Sequence, residues 1–217
     1  MEHVILMGAS GHAKVVIDIL HEMSCREGIE YNIELLDDDA SLQGTKIMGH
    51  KVVGKISDCV NYPKSRFLIS IGNNKIRETL AKRYQLDYMT AIHPSAIIGT
   101  DVAVGEGTVI MAGAVINCGT KIGTHCIVNT GATLDHDNKI SDFVHISPGV
   151  HLAGAVSVGE KLYPRVSHSA SFAFLLSISH CISRPNPPAP TITIFSMSTN
   201  PPLHLFIFTE IQPFLIL

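Results

Sequence analysis

The segment TLDHDN at residues 133–138 sets one histidine, His136, between two aspartates, Asp135 and Asp137. An imidazole titrates near neutral pH, and a carboxylate beside it fixes the tautomer and stabilises the charged ring. The triplet therefore has the composition of a general base with an orienting partner, and on sequence grounds either aspartate can be that partner. A second cluster opens the chain. GASGHA at 8–13 follows the apolar run VILM and leads into the helix-like KVVIDIL, the position where the N–H groups of a helix N-terminus hold phosphate. Gly8 and Gly11 permit a tight turn and close approach of a ligand. Asp37 or Asp38, ending the next strand-like run, lies where an acid accepts a bond from a ribose or sugar hydroxyl. A glycine turn without a ligand is the plainer reading of the same residues, and His12 can simply be a residue of the helix start. His93, His125 and His151 read as surface or structural histidines.

The elements that must position these groups are of two kinds. Residues 3–8, 32–37 and 67–72 read as strands and 12–24 and 74–85 as helices, the alternation of a small parallel sheet. Residues 86–97, with His93-Pro94, read as the hand-over to a different architecture, because proline forces the residue before it into an extended conformation. From Ile98 every sixth residue through Val104, Ile110, Ile116, Ile122, Val128, Leu134, Ile140, Ile146, Leu152 and Val158 is Ile, Leu or Val. A period of six fits neither a flat strand nor a helix; it requires a chain that turns a corner every six residues, three short strands to a triangular coil. Gly99, Gly105, Gly123 and Gly159 follow the inward aliphatic, and Val102, Thr108, Ala114, Thr120, Cys126 and Ala132 occupy the crowded bend four residues after it. Histidines spaced as 136, 145 and 151 do not reach one face of such a coil, so no zinc site is expected from them.

These segments resemble the hexapeptide acyltransferases, and within them the family of sialic acid O-acetyltransferases and bacillosamine N-acetyltransferases. The resemblance is carried by VILMGASGHAKVVIDIL at 4–20, LLDDD at 35–39, SIGNN at 70–74, AIHPSAIIG at 91–99 and NTGATLDHDNKISDFVHISPGVHLAGAVSVGE at 129–160, and runs over about residues 2–160. It implies an α/β plus all-β chain: a Rossmann-like parallel-sheet domain over 1–90 that binds a nucleotide sugar, then a left-handed parallel β-helix over 91–160, incomplete here. It further implies acetyl-CoA as donor with no metal, and an acceptor that is a nucleotide-activated amino sugar or a sialic acid. The assembly implied is a homotrimer with sites between subunits. By the same resemblance His136 is the base and Asp137 its partner, His145 contacts acetyl-CoA, and Ser10, Gly11, His12, Asp37, Asp38 and Gly72 contact the nucleotide-linked sugar. A backbone N–H near Gly154 is a further candidate, for the oxyanion. N-acylation is favoured over O-acylation, since no arginine suited to a sialic acid carboxylate is evident.

Composition narrows the alternatives. Sixteen basic residues against nineteen acidic give a formal charge of −3, without a nucleic-acid footprint. The five cysteines are scattered, without zinc spacing, and no apolar run is long enough to span a bilayer, so a cytoplasmic protein with reduced thiols and no membrane partner is expected. Beyond Lys161 the character changes: none of the 17 glycines but 8 of the 11 prolines and 6 of the 8 phenylalanines fall in 161–217, and the six-residue register stops. That tail reads as frame-altered, or else as a disordered or membrane-associating segment. Two competing functions follow: an impaired family member that only binds nucleotide sugar, and a nicotinamide-dependent reductase built on GASGHA. The second lacks a full GxGxxG and leaves the coil without a role.

Overall fold

The computed structural model describes residues 1–159; the segment expected to be irregular, 161–217, lies outside the described residues. The chain opens with β1 (Glu2–Met7), α1 (Gly11–Glu27) and β2 (Tyr31–Leu36). These are followed by β3 (Lys46–Ile47), β4 (His50–Gly54), β5 (Arg66–Ile69) and α2 (Asn74–Arg83). The sheet order is β3-β4-β2-β1-β5, parallel except for the edge strand β3, which pairs antiparallel with β4. Sequence patterning misses β3 and β4. Their two-residue connection is Met48–Gly49, both with positive φ, a hairpin geometry for which Asn-Gly is the recognisable signal and Met-Gly is not. The third expected strand also stops early, at Ile69. Just beyond it Ser70 still donates its N–H to the Met7 carbonyl at 2.9 Å, and its hydroxyl donates to the Gly8 carbonyl.

Helix α1 buries Ala13, Val16, Ile17, Leu20 and Met23, the i, i+3, i+4, i+7 stripe of a helix on a sheet. Gly28 ends it in the left-handed region at φ 68, its N–H bonding the Ser24 carbonyl.

Twelve two-residue strands follow. They are β6 (Ala91–Ile92), β7 (Ile97–Ile98), β8 (Ala103–Val104), β9 (Val109–Ile110), β10 (Val115–Ile116), β11 (Lys121–Ile122), β12 (Ile127–Val128), β13 (Thr133–Leu134), β14 (Lys139–Ile140), β15 (His145–Ile146), β16 (His151–Leu152) and β17 (Ser157–Val158). Every third strand pairs in parallel, giving three sheets, β6-β9-β12-β15, β7-β10-β13-β16 and β8-β11-β14-β17. The architecture is a parallel β-helix of 18-residue coils, as the six-residue period requires. The first rung is at Ala91–Ile92, within the hand-over segment 86–97. Each aliphatic stacks on its counterpart one coil away, as Ile98, Ile116, Leu134 and Leu152 do. Burying each such side chain contributes about 1.5–3 kcal/mol.

The first sheet's outward row is apolar too. Ala91, Val109 and Ile127 are buried in the same cluster as Ala13, Val16, Ile17 and Leu20, so α1 lies over this face and joins the two parts.

Glycine after the aliphatic position is a packing requirement at Gly99, Gly105 and Gly123. A Cβ on Gly105 would sit 2.6 Å from the backbone C and O of Gly123 and 2.7 Å from the Thr124 nitrogen, so the coils would have to part. We expect Gly105→Ala to cost about 2–4 kcal/mol, read as a lower urea midpoint. Gly11→Ala, in open space without positive φ, should leave that midpoint unchanged or raise it, since alanine is the better helix former.

Candidate active site

His136 lies in the turn between β13 and β14, and the interior builds that turn. Thr120, fully buried, donates from Oγ1 to the Asp135 carbonyl at 3.0 Å and accepts from the Asn138 N–H. Asn138, also fully buried, donates to the same carbonyl, and its Oδ1 accepts from the Val156 N–H at 2.9 Å. The two aspartates divide the work that the sequence leaves open between them. Asp137 Oδ2 accepts from His136 Nδ1 at 2.8 Å and fixes the ring. Asp135 Oδ1 instead takes the His136 backbone N–H at 2.8 Å and the Asn117 amide at 3.0 Å. With Nδ1–H held by Asp137, Nε2 carries the lone pair, the tautomer a base needs. The Asp137 hydrogen bond, with the Asp135 charge behind it, raises the His136 pKa.

Two glycines from the coils on either side make room for the pair. A Cβ on Gly119 would lie 2.5 Å from Asp137 Oδ1, and one on Gly154 would lie 2.6 Å from His136 Nε2. Gly154 thus belongs to the His136 site, as ground cleared for the ring. Because the ring is an exposed, movable side chain, Gly154→Ala should leave stability nearly unchanged. Displacing Nε2 by about 1 Å should nevertheless lower kcat roughly a hundredfold, read by steady-state kinetics beside a thermal melt.

The second cluster forms where the first sheet meets the coil. Gly8, at φ 113, must be glycine, since a Cβ would approach Ile71 Cγ1 to 2.6 Å. Gly11 has an ordinary φ and open space around it, so the turn itself does not demand glycine there. Ser10 caps α1 by position without a side-chain bond. Asp37 is occupied by the protein: Oδ2 accepts from the Ala9 N–H at 2.7 Å and Oδ1 from the Asp39 N–H at 2.9 Å. Asp38 Oδ1 accepts from the Ile56 N–H at 3.0 Å. Both aspartates therefore shape the loops around GASG.

His145, outward on β15, continues the row Ala91, Val109, Ile127 past the end of α1 and meets the loop after β5. It bonds the Gly72 backbone, and its Nε2 pairs with Asn129 Nδ2 at 2.9 Å. Burial lowers both His12 and His145 to about 4, the Arg77 charge adding to each, and His145 is close enough to depress His12 further. His12 Nε2 is buried without a partner. His12, Gly72 and His145 thus come together, with Ser10 and Gly11 at the lip. Asn129 and Arg77 complete the group: the helix pattern of 74–85 reads Arg77 as solvated, whereas it is 1% exposed, and only the 18-residue coil brings position 129 to 145.

The structure does not unite the two clusters in one chain. His136 follows a strand of the sheet containing β7, and His145 lies on the sheet containing β6, so they occupy different corners of the triangle. Of the histidines expected to be structural, His125 is buried between Tyr88 and Phe143, its ring stacked on the latter. His93 pairs with Ser95, and His151 with Thr133. Among the described residues no three His, Cys, Asp or Glu side chains converge as a metal site. No helix there is long and apolar enough to cross a membrane.

Residues 3–84 match the model of the PglD N-terminal domain family. The fold superposes on the acetyltransferase domain of PglB from Neisseria gonorrhoeae at 33% identity and TM-score 0.67, over 73% of this chain and 77% of that one. The chain belongs to the PglD-type acetyltransferase family. A second PglD-type structure, PerB from Caulobacter crescentus in complex with CoA and GDP-perosamine, aligns at 35% identity and TM-score 0.64 over 74% of this chain and 76% of PerB. UDP-N-acetylbacillosamine N-acetyltransferase of Bacillus subtilis is 43% identical over 118 residues, 52% of this chain and 52% of that protein. The chain thus spans about half the length of that curated relative.

Proposed function

We propose that the protein transfers acetyl from acetyl-CoA to the amine of a nucleotide-linked amino sugar, with His136 as general base and Asp137 as its orienting partner. The observation that carries this reading is the His136–Asp137 bond of 2.8 Å, with Nε2 left over the Gly154 position. In the proposed step the amine nitrogen attacks the thioester carbonyl. His136 Nε2 removes its proton as the C–N bond forms, and the C–S bond breaks as the tetrahedral adduct collapses. The thiolate of coenzyme A then receives that proton from the imidazolium. No acyl-enzyme is needed. The family comparison supports the donor and acceptor classes: the gonococcal PglB domain has been crystallised with acetyl coenzyme A and PerB with CoA and GDP-perosamine. A donor made in the cytoplasm agrees with a cytoplasmic location. On this reading Ser10, Gly11, His12 and Gly72 hold the nucleotide sugar, with Asp37 and Asp38 shaping its loop.

The separation of the clusters supports a homotrimer with shared sites. Of the three outward rows, one is covered by α1 and one carries the exposed Lys121 and Lys139. The third, Ile97, Val115, Thr133 and His151, bears no carboxylate or ammonium, and Ile97 is 62% exposed. The Asn129 corner borders this row on one side and the His136 corner on the other. Packing the row around a threefold axis sets His136 of one copy against the His12–His145 group of the next.

The test is coenzyme A release from acetyl-CoA with UDP- and GDP-linked amino sugars beside sialic acids. Release with the amino sugars is the expected result. Release with sialic acids instead would move the acceptor to a hydroxyl. Nucleotide-sugar binding without any release would establish the impaired, binding-only form.

A further inference from the structure

Arg77 is 1% exposed, the largest fully buried side chain among the described residues. Its guanidinium meets no carboxylate there; all its bonds go to neutral oxygens. Nε donates to the His125 carbonyl at 2.7 Å, and Nη1 to those of Ile71 at 3.0 Å and Gly72 at 3.3 Å. Nη2 donates to Asn74 Oδ1 at 3.0 Å and to the Phe143 carbonyl at 2.9 Å. Taking an unpaired cation out of water costs several kcal/mol, and an apolar side chain would fill the same space more cheaply. No apolar group, however, can tie four carbonyls to one rigid plane. Two of these carbonyls belong to the loop after β5 and two to consecutive coil turns at the corner after β11 and β14. The Gly72 carbonyl is shared, since His145 bonds to it from the coil side. An Nδ1–H committed to Gly72 leaves His145 Nε2 as the acceptor towards Asn129.

We propose that Arg77 is a positioning residue for acyl transfer: its guanidinium sets the Ile71–Gly72 loop against the coil turns at His125 and Phe143. Through the Gly72 carbonyl it thereby orients His145, which the resemblance places at acetyl-CoA, within the His12–Gly72 group that this reading gives to the nucleotide-linked sugar. This inference rests on the acetyltransferase reading above. A lysine keeps the charge but cannot span the four carbonyls.

The full chain carrying Arg77→Lys is the test, with kinetics, a melt and nitrogen-15 spectra of the histidine rings. With cooperative unfolding retained, kcat/KM for the nucleotide sugar should fall about thirtyfold while KM for acetyl-CoA changes less than about twofold. His145 should pass from a single Nδ1–H tautomer to a mixture. If Arg77→Lys does not fold, Asn74→Ala, which removes one acceptor only, should give the same tautomer mixing and a loss of about fivefold in kcat/KM for the sugar. A folded variant that keeps both the His145 tautomer and the sugar KM, losing only thermal stability, would overturn the proposal. Should the unmodified chain release no coenzyme A, the acetyltransferase reading fails by itself, and the ring spectra still decide whether Arg77 sets His145.

Discussion

His136→Ala should lower kcat by about three orders of magnitude, the middle of the range that a positioned proton acceptor contributes. KM for acetyl-CoA should stay near that of the unmodified chain, and so should the melting temperature. His136 is exposed and its ring supports no other side chain but Asp137, so the variant removes chemistry and spares packing. The pH profile of the unmodified chain checks the same assignment. A base works only when deprotonated, and the Asp137 bond raises the His136 pKa. The acid limb of kcat/KM should therefore lie above the ordinary histidine value of about 6.5. Asp137→Asn removes the carboxylate, so that limb should move to lower pH while kcat also falls. An acid limb that Asp137→Asn leaves in place would assign the titration to another group.

Acid should destabilise this protein strongly between about pH 6.5 and 5, above the ordinary carboxylate range. His12, His125 and His145 are each lowered to about 4, burial being the leading cause and the Arg77 charge adding to it. In the unfolded chain each titrates near 6.5, so between about pH 6.5 and 4 the unfolded state binds more protons than the folded one. Stability is complete above the unfolded value and drains away as pH falls through that window. Each histidine contributes at most about 1.4 kcal/mol per pH unit. Between pH 6.5 and 5 the three together remove at most about 6 kcal/mol of a total stability of about 5–15 kcal/mol, a large loss by pH 5. Urea midpoints at pH 7.5 and 5 measure this, and His125→Gln should reduce the slope by about one proton. Equal midpoints at the two pH values would mean that these rings protonate without unfolding.

Legibility in the sequence differs sharply between the two parts of the site. The coil is legible because its rule is local: one inward aliphatic every six residues, with Gly105 or Gly123 where backbones touch. His136 and Asp137 are legible as a pair because they are adjacent, and the intervening backbone alone brings Nδ1 within 2.8 Å of Oδ2. The choice between Asp135 and Asp137 was not legible. It depends on the positive φ of Asp137 and on Asn117, one coil away, which draws Asp135 aside. Asp37 and Asp38 also take structural roles that no sequence pattern shows, accepting from the Ala9 and Ile56 N–H groups while keeping lone pairs for a sugar hydroxyl.

By itself, then, the sequence determined the hexapeptide coil, the Rossmann-like opening and a histidine flanked by two carboxylates at 135–137, because each follows from side-chain period or from neighbours along the chain. Only the tertiary structure decided that His145 joins His12 and Gly72 rather than His136, and that Arg77 ties the sheet's loop to the coil. Those contacts join residues 48 to 133 positions apart, from Arg77 and His125 to His12 and His145. Which of them meet depends on α1 covering one face of the triangle, a packing choice that no local pattern encodes.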